Sequence, residues 1–516
     1  METGKTIVGK LSRMKQAREL YTESISRLEK FVLIAFLTLG LESIIYFTHW
    51  WFWGDHRKQT IFFIILSFAI FWEIFRNLIN WYIYSFVKTP EKQKRKQDFT
   101  VDVLTTAMPG EPFEMFEQSL AAIAAMEYPH NTFLLDGGND PQLQALCKRL
   151  NINHVNCEGV SGAKAGKINY CLDNFSKAEI VLVIDPDHIP KKDFFEYTLP
   201  AFNDEKVGFV QVVQAYYNTD ESFVADAAAE QTFGFYGPTL MGLNGLGIPT
   251  AIGANCTFRR KALDSIGGHA IHLAEDALTS MRIHAEGWKS VYVPYRGSIG
   301  LAPADISSFF KQQLKWATGM FYLLFREYPK LFGKFNLVSK LHYFFAGTFY
   351  LNGLAVFFTL ILPIIFLFFK IFAVEMALSD FLIHYLPYLG ISVGINQFIQ
   401  RWYSHTDEQR FPWKSMLLEK GTWFIYLIGF VYGLSGKKVA YLPTPKTAQQ
   451  GVYLNLAYPH IIILALSISA IVFTLLTYPR MDTGTNLMIF FAATNIVLLT
   501  PTIWISTKNL FIKKEE

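Results

Sequence analysis

Cysteine is scarce. Four thiols, Cys147, Cys157, Cys171 and Cys256, are scattered over 516 residues. So few exclude a disulfide scaffold, and the lack of any CxxC spacing excludes a cysteine-ligated zinc site. Charge is scarce as well: Asp, Glu, Lys and Arg make up 17% of the chain, against about 25% in ordinary globular proteins. The 47 basic and 43 acidic residues leave a formal net charge of +4, too small a surplus to point to nucleic acid. There is no internal repeat and no low-complexity tract. No small-residue cleavage site follows the first apolar run, so a removable secretion signal is not expected. What is abundant is apolar: 51% hydrophobic and 16% aromatic residues, with a mean hydropathy of +0.22. That excludes a disordered or wholly water-soluble chain.

The apolar excess is localised. Residues 31–49 and 60–86 are each long enough to cross roughly 30 Å of hydrocarbon. Composition then becomes ordinary from about 98 to 304, and the greasy pattern returns at 338–373, 380–400, 455–477 and 487–506. The stretch 338–373 reads as one tilted helix or two short ones. The segments 305–335 and 412–434 mix aromatics with charges, as interfacial helices do. The expected layout is a cytosolic start with two spans (1–97), a cytosolic domain (98–304), interface helices (305–335), two spans (336–411), an interface helix and loop (412–453), then two spans and a cytosolic tail (454–516). Lys- and Arg-rich stretches at the N-terminus, at 88–97 and at the C-terminus place all three in the cytoplasm by the positive-inside rule.

Within 98–304, apolar runs at 99–107, 131–136, 178–185 and 207–214 read as buried strands, with helices at 114–126 and 141–150 between them. That alternation predicts an α/β, mostly parallel sheet whose ligand site lies at the strand C-termini.

Several residues there carry chemistry. Asp185 and Asp187 form DPD at the end of IVLVI, where two carboxylates can converge on a hard divalent cation such as Mg²⁺ or Mn²⁺, or simply build a turn. Asp136 ends the strand NTFLLD ahead of Gly137-Gly138, and Lys164 and Lys167 flank Gly166 in AKAGKIN, a cationic helix start suited to an anionic ligand; alone, each reads equally well as a turn and a solvated helix start. Glu275-Asp276 opens another helix, as a cap or as a general base. QQLKW (312–316) lies beside the membrane, where Trp316 is an interface anchor or a stacking face for a sugar ring.

Taken in order, Asp136, AKAGK, DPD, ED and QQLKW, together with strings such as GANCTFRRKALDSIGG and GLAPADISSFFKQQLKWATGM, resemble the family 2 processive glycosyltransferases, specifically bacterial cellulose synthase catalytic subunits. The resemblance runs over roughly residues 30–480. It implies a glycosyltransferase-A type domain between about six spans, and a nucleotide-sugar site of Asp136, Lys164, Asp185, Gln312, Lys315, Thr444 and Lys446. It further implies a metal ligand at Asp187, a catalytic base at Asp276, and an acceptor site at Trp316 and Glu275. Thr444 and Lys446 enter through YLPTPK, which is similar to the family's gating loop.

The activity implied is inverting, processive transfer from UDP-glucose into a cellulose-like β-1,4-glucan, with Mg²⁺ or Mn²⁺ as cofactor and export across the plasma (inner) membrane. The alternatives are a β-1,3 or mixed-linkage glucan, another β-polysaccharide, or a non-enzymatic membrane receptor or transporter. Expected partners are UDP-glucose, the growing glucan and the bilayer, with periplasmic or accessory subunits allowed. Nucleic acid and a cyclic-di-GMP (PilZ-like) domain are not expected. The chain departs from the family pattern in having Leu135-Asp136 for a paired Asp, Ala274 ahead of Glu275-Asp276, and Lys315 in the Arg place of QxxRW.

Overall fold

The computed structural model describes residues 25–89, 93–403, 408–437, 451, 453–478 and 480–507. Among them, six helices are long and apolar enough to cross a membrane: Arg27–Trp53, Thr60–Ser85, Leu337–Phe369, Leu378–Trp402, Leu454–Thr477 and Thr483–Thr507. The apolar stretch after residue 336 thus forms a single span, tightened by a 3₁₀ turn at Phe349–Leu351. The first span opens on a capping box: the Glu29 N–H donates to Ser26 Oγ (3.1 Å), and the Ser26 N–H donates to the Glu29 carboxylate (2.9 Å).

Between the second and third of these spans the chain builds an eight-stranded sheet. Its strands are β1 (Val101–Ala107), β2 (Asn131–Asp136), β3 (Asn153–Asn156), β4 (Ile180–Ile184), β5 (Ile189–Pro190), β6 (Val207–Tyr216), β7 (Asn255–Arg259) and β8 (Lys289–Gly300). The spatial order is β3-β2-β1-β4-β7-β6-β8-β5. The first four are parallel, whereas β7 runs antiparallel to both β4 and β6. Helices cover both faces, so β1 is buried at every position. Val103 packs with Phe116 and Leu120 on one side, and its neighbour Leu104 with Ile168 and Leu172 on the other, the two-residue period of a strand.

The sheet is mixed and not simply parallel, and that matters for the site. Because β7 enters antiparallel to β4, the turn before it lies at the C-terminal end of β4, where the Asp185 N–H donates to the Ala254 carbonyl (2.8 Å).

The sheet domain is tied to the spans. Gly242 and Gly245 let the short helix Leu240–Gly245 press on the end of the second span, since a Cβ on either would fall 2.2 Å from the Ile83 carbonyl oxygen or 1.9 Å from that of Phe86. Below it, Arg410 and Lys414 reach Asp226 and Glu230 on the helix Phe223–Gly234. At the far end of the spans, two connecting loops pair: the Lys58 N–H donates to Ala373 O and the Gln59 N–H to Phe372 O, both at 3.1 Å.

Candidate active site

The C-terminal end of β4 delivers Asp185, Asp187 and His188, whose ligand atoms all lie within 4.8 Å of one another. Asp187 and His188 are buried and Asp185 is half-buried. His188 Nδ1 sits 3.5 Å from the Asp187 carboxylate, and neither ring nitrogen is hydrogen-bonded among the described residues. The ring fits only because residue 300 is glycine; a Cβ there would lie 2.3 Å from His188 Cε1.

Lys164, buried on the helix Ala163–Asn174, donates to the Asp185 carboxylate and to the Gly253 carbonyl (2.6 Å). It therefore joins the strand-end acids to the turn before β7. Gly253 holds a left-handed conformation (φ +81°), and a Cβ on it would stand 3.2 Å from Asp276 Oδ2. A bare backbone is what lets the Asp276 carboxyl approach this turn. Glu275 and Asp276 open the helix Glu275–Ala285, and Asp276 Oδ1 accepts the Ala277 N–H (2.7 Å). Burial, reinforced by the Glu275 charge, lifts the Asp276 carboxyl to about 6; Lys315 and Lys164 pull the other way.

The helix Ile306–Tyr322 carries Gln312, Lys315 and Trp316, all half-buried. It starts on an Asp305 cap, which accepts the Ser308 N–H (2.9 Å). Two glycines of the helix Trp423–Ser435 draw it close: a Cβ on Gly429 would lie 2.7 Å from Ala317 Cβ, and one on Gly433 2.5 Å from Phe321 Cβ. Gly319, on the helix Ile306–Tyr322 itself, abuts Ala274, with a virtual Cβ–Cβ distance of 2.7 Å, so the residue preceding Glu275-Asp276 packs on the helix of Trp316.

Asp136 sits elsewhere, two strands from Asp185. It is 2% exposed and accepts from the Gly138 N–H (2.8 Å), the Asp140 N–H (2.7 Å) and His154 Nε2 (3.0 Å), so it also shapes its own turn. Thr444 and Lys446 lie outside the described residues.

Residues 180–504, more than half of the chain, match the Glycosyl transferase family group 2. The chain belongs to this family. The glycosyltransferase is 28% identical over 242 residues to the cellulose synthase catalytic subunit [UDP-forming] of Xanthomonas axonopodis pv. citri, covering 45% of this chain and 33% of that one. It is 25% identical over 382 residues to the subunit of the same name from Pseudomonas fluorescens, covering 72% and 51%. The chain thus spans a third to a half of the length of these relatives. Among solved structures, a mannosyltransferase from Pyrobaculum calidifontis in complex with GDP-Man and Mn²⁺ aligns at a TM-score of 0.49 and 15% identity, over 73% of this chain and 100% of that one.

The structure of the glycosyltransferase adds residues that the sequence did not single out. His188 follows DPD directly, so the signal was present, but a lone imidazole next to a turn carries little weight until its ring is seen enclosed with the two acids. Gln313, not only its neighbour Gln312, turns into the interior: it is 2% exposed, its Nε2 donates to Gln231 (3.4 Å), and its Oε1 accepts from the Tyr426 hydroxyl (3.0 Å). Asn255 and Gln211 form a buried amide pair (2.6 Å), and Gln211 also accepts the Ile252 N–H (3.0 Å), which fixes the Gly253 turn from below.

Proposed function

We propose that this glycosyltransferase is a metal-dependent, inverting, processive enzyme that polymerises glucose from UDP-glucose into a cellulose-like β-1,4-glucan. It passes the polymer through its own spans, across the plasma (inner) membrane, with the sheet domain in the cytoplasm. The observation that carries this reading is the Ala274–Gly319 contact. Through it the helix that opens with Glu275-Asp276 starts against the helix that carries Trp316, while the Gly253 turn links Asp276 to the acids of β4.

Two carboxylates and an imidazole fit a hard divalent ion, Mg²⁺ or Mn²⁺, and the buried His188 ring without a hydrogen bond is the feature that such an ion accounts for. Asp185, Asp187 and His188 would hold it, and when bound it would stabilise the charge that develops on a leaving diphosphate. Asp276 takes the proton of the acceptor hydroxyl aligned on Trp316. The acceptor oxygen then bonds to C1 of glucose from the face opposite the nucleotide, and the C1–O bond to the diphosphate breaks, its electron pair leaving with UDP. Lys315 adds a positive charge near that group, as a point charge and not a planar fork. Thr444 and Lys446 would complete the nucleotide side through the gating loop.

Polar groups continue from this site among the spans and support export. Gln313 leads to Tyr426, which meets Tyr350 edge-on at 5.0 Å. Beyond them Asn352 donates to Glu419 (2.7 Å), and Arg76 donates to Phe345 O (3.3 Å). Polar and charged side chains inside a bundle mark a path for a hydrated substrate.

The test is release of UDP from UDP-glucose by purified membranes, followed by digestion of the product with linkage-specific glucanases. Failure to release UDP overturns the reading, and a product cut only by a β-1,3-glucanase replaces the linkage.

A further inference from the structure

Lys167 is a buried lysine that the chemistry above does not use. Its side chain is 3% exposed. It lies on the helix Ala163–Asn174, one turn past Lys164, and reaches the gap between the ends of β1 and β2. Its Nζ donates to the Ala107 carbonyl (2.6 Å) and to the Met108 thioether (2.9 Å), and it makes no ion pair among the described residues. The position depends on Gly137: a Cβ there would fall 2.3 Å from Nζ. Met108 is itself held, its N–H donating to Glu111 (2.8 Å). Burial holds the Lys167 amine below the ordinary lysine range.

A structural cap on the Ala107 carbonyl would need only a neutral donor. An ammonium brought out of water and set against a sulfur is poorly matched, because a thioether is a weak acceptor, and an oxygen that displaced it would be favoured in this low-dielectric place. The strand order says which oxygen is near. A nucleotide with its diphosphate at the end of β4 extends across β1 towards β2, two strand spacings or roughly 10 Å. Its base then lies over the ends of β1 and β2, at the C-terminal edge where such sheets bind ligands.

We propose that Lys167 is a specificity residue for the donor: it exchanges the Met108 sulfur for a carbonyl oxygen of the pyrimidine base. This rests on the nucleotide-sugar reading above. Amines and amidines lack that acceptor, so the contact favours a uracil over an adenine.

The experiment measures binding of UDP, CDP, ADP and pyrophosphate, each with Mn²⁺, to the full-length enzyme and to Lys167→Met. The expected result is about a tenfold weaker UDP affinity, in line with loss of one hydrogen bond from a charged donor, a reduced preference for UDP over ADP, and unchanged pyrophosphate binding. A parallel loss for CDP places the contact at O2, which both pyrimidines share, and a loss for UDP alone places it at O4. Unchanged UDP affinity, or an equal loss for pyrophosphate, overturns the proposal. Should Lys167→Met not fold, Met108→Leu serves instead. It leaves the lysine without a sulfur to surrender and should tighten UDP binding; unchanged or weaker binding overturns the proposal. If the unsubstituted enzyme binds no UDP at all, the nucleotide-sugar reading itself fails, and that outcome is separate from the behaviour of Lys167.

Discussion

Asp276 is held in a place that resists its charge. The proposed base would work only when deprotonated, and burial together with Glu275 lifts this carboxyl to about 6. Turnover per bound donor should therefore fall as the pH drops through about 6, approaching tenfold per unit below it, and initial rates between pH 5 and 8 would show the limb. Asp276→Asn should spare UDP-glucose binding, lower turnover by at least about 10²-fold and abolish the limb. The same shift has a stability sign. A carboxyl whose folded pKa is raised opposes folding once the pH exceeds the unfolded value, and most fully above the folded one. Asp276→Asn should thus melt higher than the parent at pH 7, and a lower melting temperature would make Asp276 a structural cap. For the acids of β4, Asp187→Asn and His188→Ala should each raise the Mn²⁺ concentration needed for half-maximal rate; full activity in excess chelator would rule out the metal. Trp316→Ala should end polymer formation with nucleotide binding retained, whereas Trp316→Phe should keep part of it. Asp136, Lys164, DPD, Glu275-Asp276 and QQLKW could be named as candidates from the sequence, because strand ends and helix starts announce themselves through Gly, Asp and an adjoining apolar run; their roles came only from the family resemblance. His188 and Gln313 were not, because what distinguishes them is enclosure, which no local pattern records.

Among the elements, the helix Ile306–Tyr322 is closely packed on two sides. It is pressed by Gly429 and Gly433 on one side and meets Ala274 through Gly319 on another. Overpacking here costs about 1–3 kcal/mol when neighbours must shift. Gly319→Val should push Ala274, and with it the start of the Glu275–Ala285 helix, away from Trp316. The expected outcome is wild-type UDP affinity with little or no polymer, read by nucleotide binding and by product assay on the same preparation; intact synthesis would mean that this contact only fills space. Strands β1, β2, β4 and β6 were readable as apolar runs. β7 was hidden because NCTFR carries the buried amide of Asn255, satisfied by Gln211, Val213 and Ser298 across the sheet. β8 was hidden because its twelve residues include Arg296, Gly297 and a proline. Long-range pairing, not local preference, makes them strands.

At the scale of the whole molecule, charge clamps the sheet domain to the start of the helix Trp413–Gly421, beside the spans. Glu230, 4% exposed, accepts from Arg410 Nε (3.1 Å) and from the Ser415 N–H (2.7 Å), while Asp226 accepts from Lys414 at 2.5 Å. Removing one partner of a buried charge is costly, up to about 3–5 kcal/mol when both are enclosed, and Arg410 is partly exposed, so the figure here is smaller. Arg410→Ala should lower the melting temperature in detergent, and Arg410→Ala with Glu230→Gln should recover part of the loss. The four cysteines have a consequence of their own. All are buried in the sheet domain, and burial pushes the thiols up, Cys147 and Cys171 to about 12 and Cys157 to about 11. Such thiols are poor nucleophiles towards maleimides, so the native protein offers a silent background for labelling without a cysteine-free variant. A cysteine placed at Trp53, 72% exposed at the far end of the first span, should react with a membrane-impermeant maleimide in intact cells. One placed at Glu117 on the sheet domain should react only after permeabilisation, and the reverse pattern would invert the orientation of the whole chain.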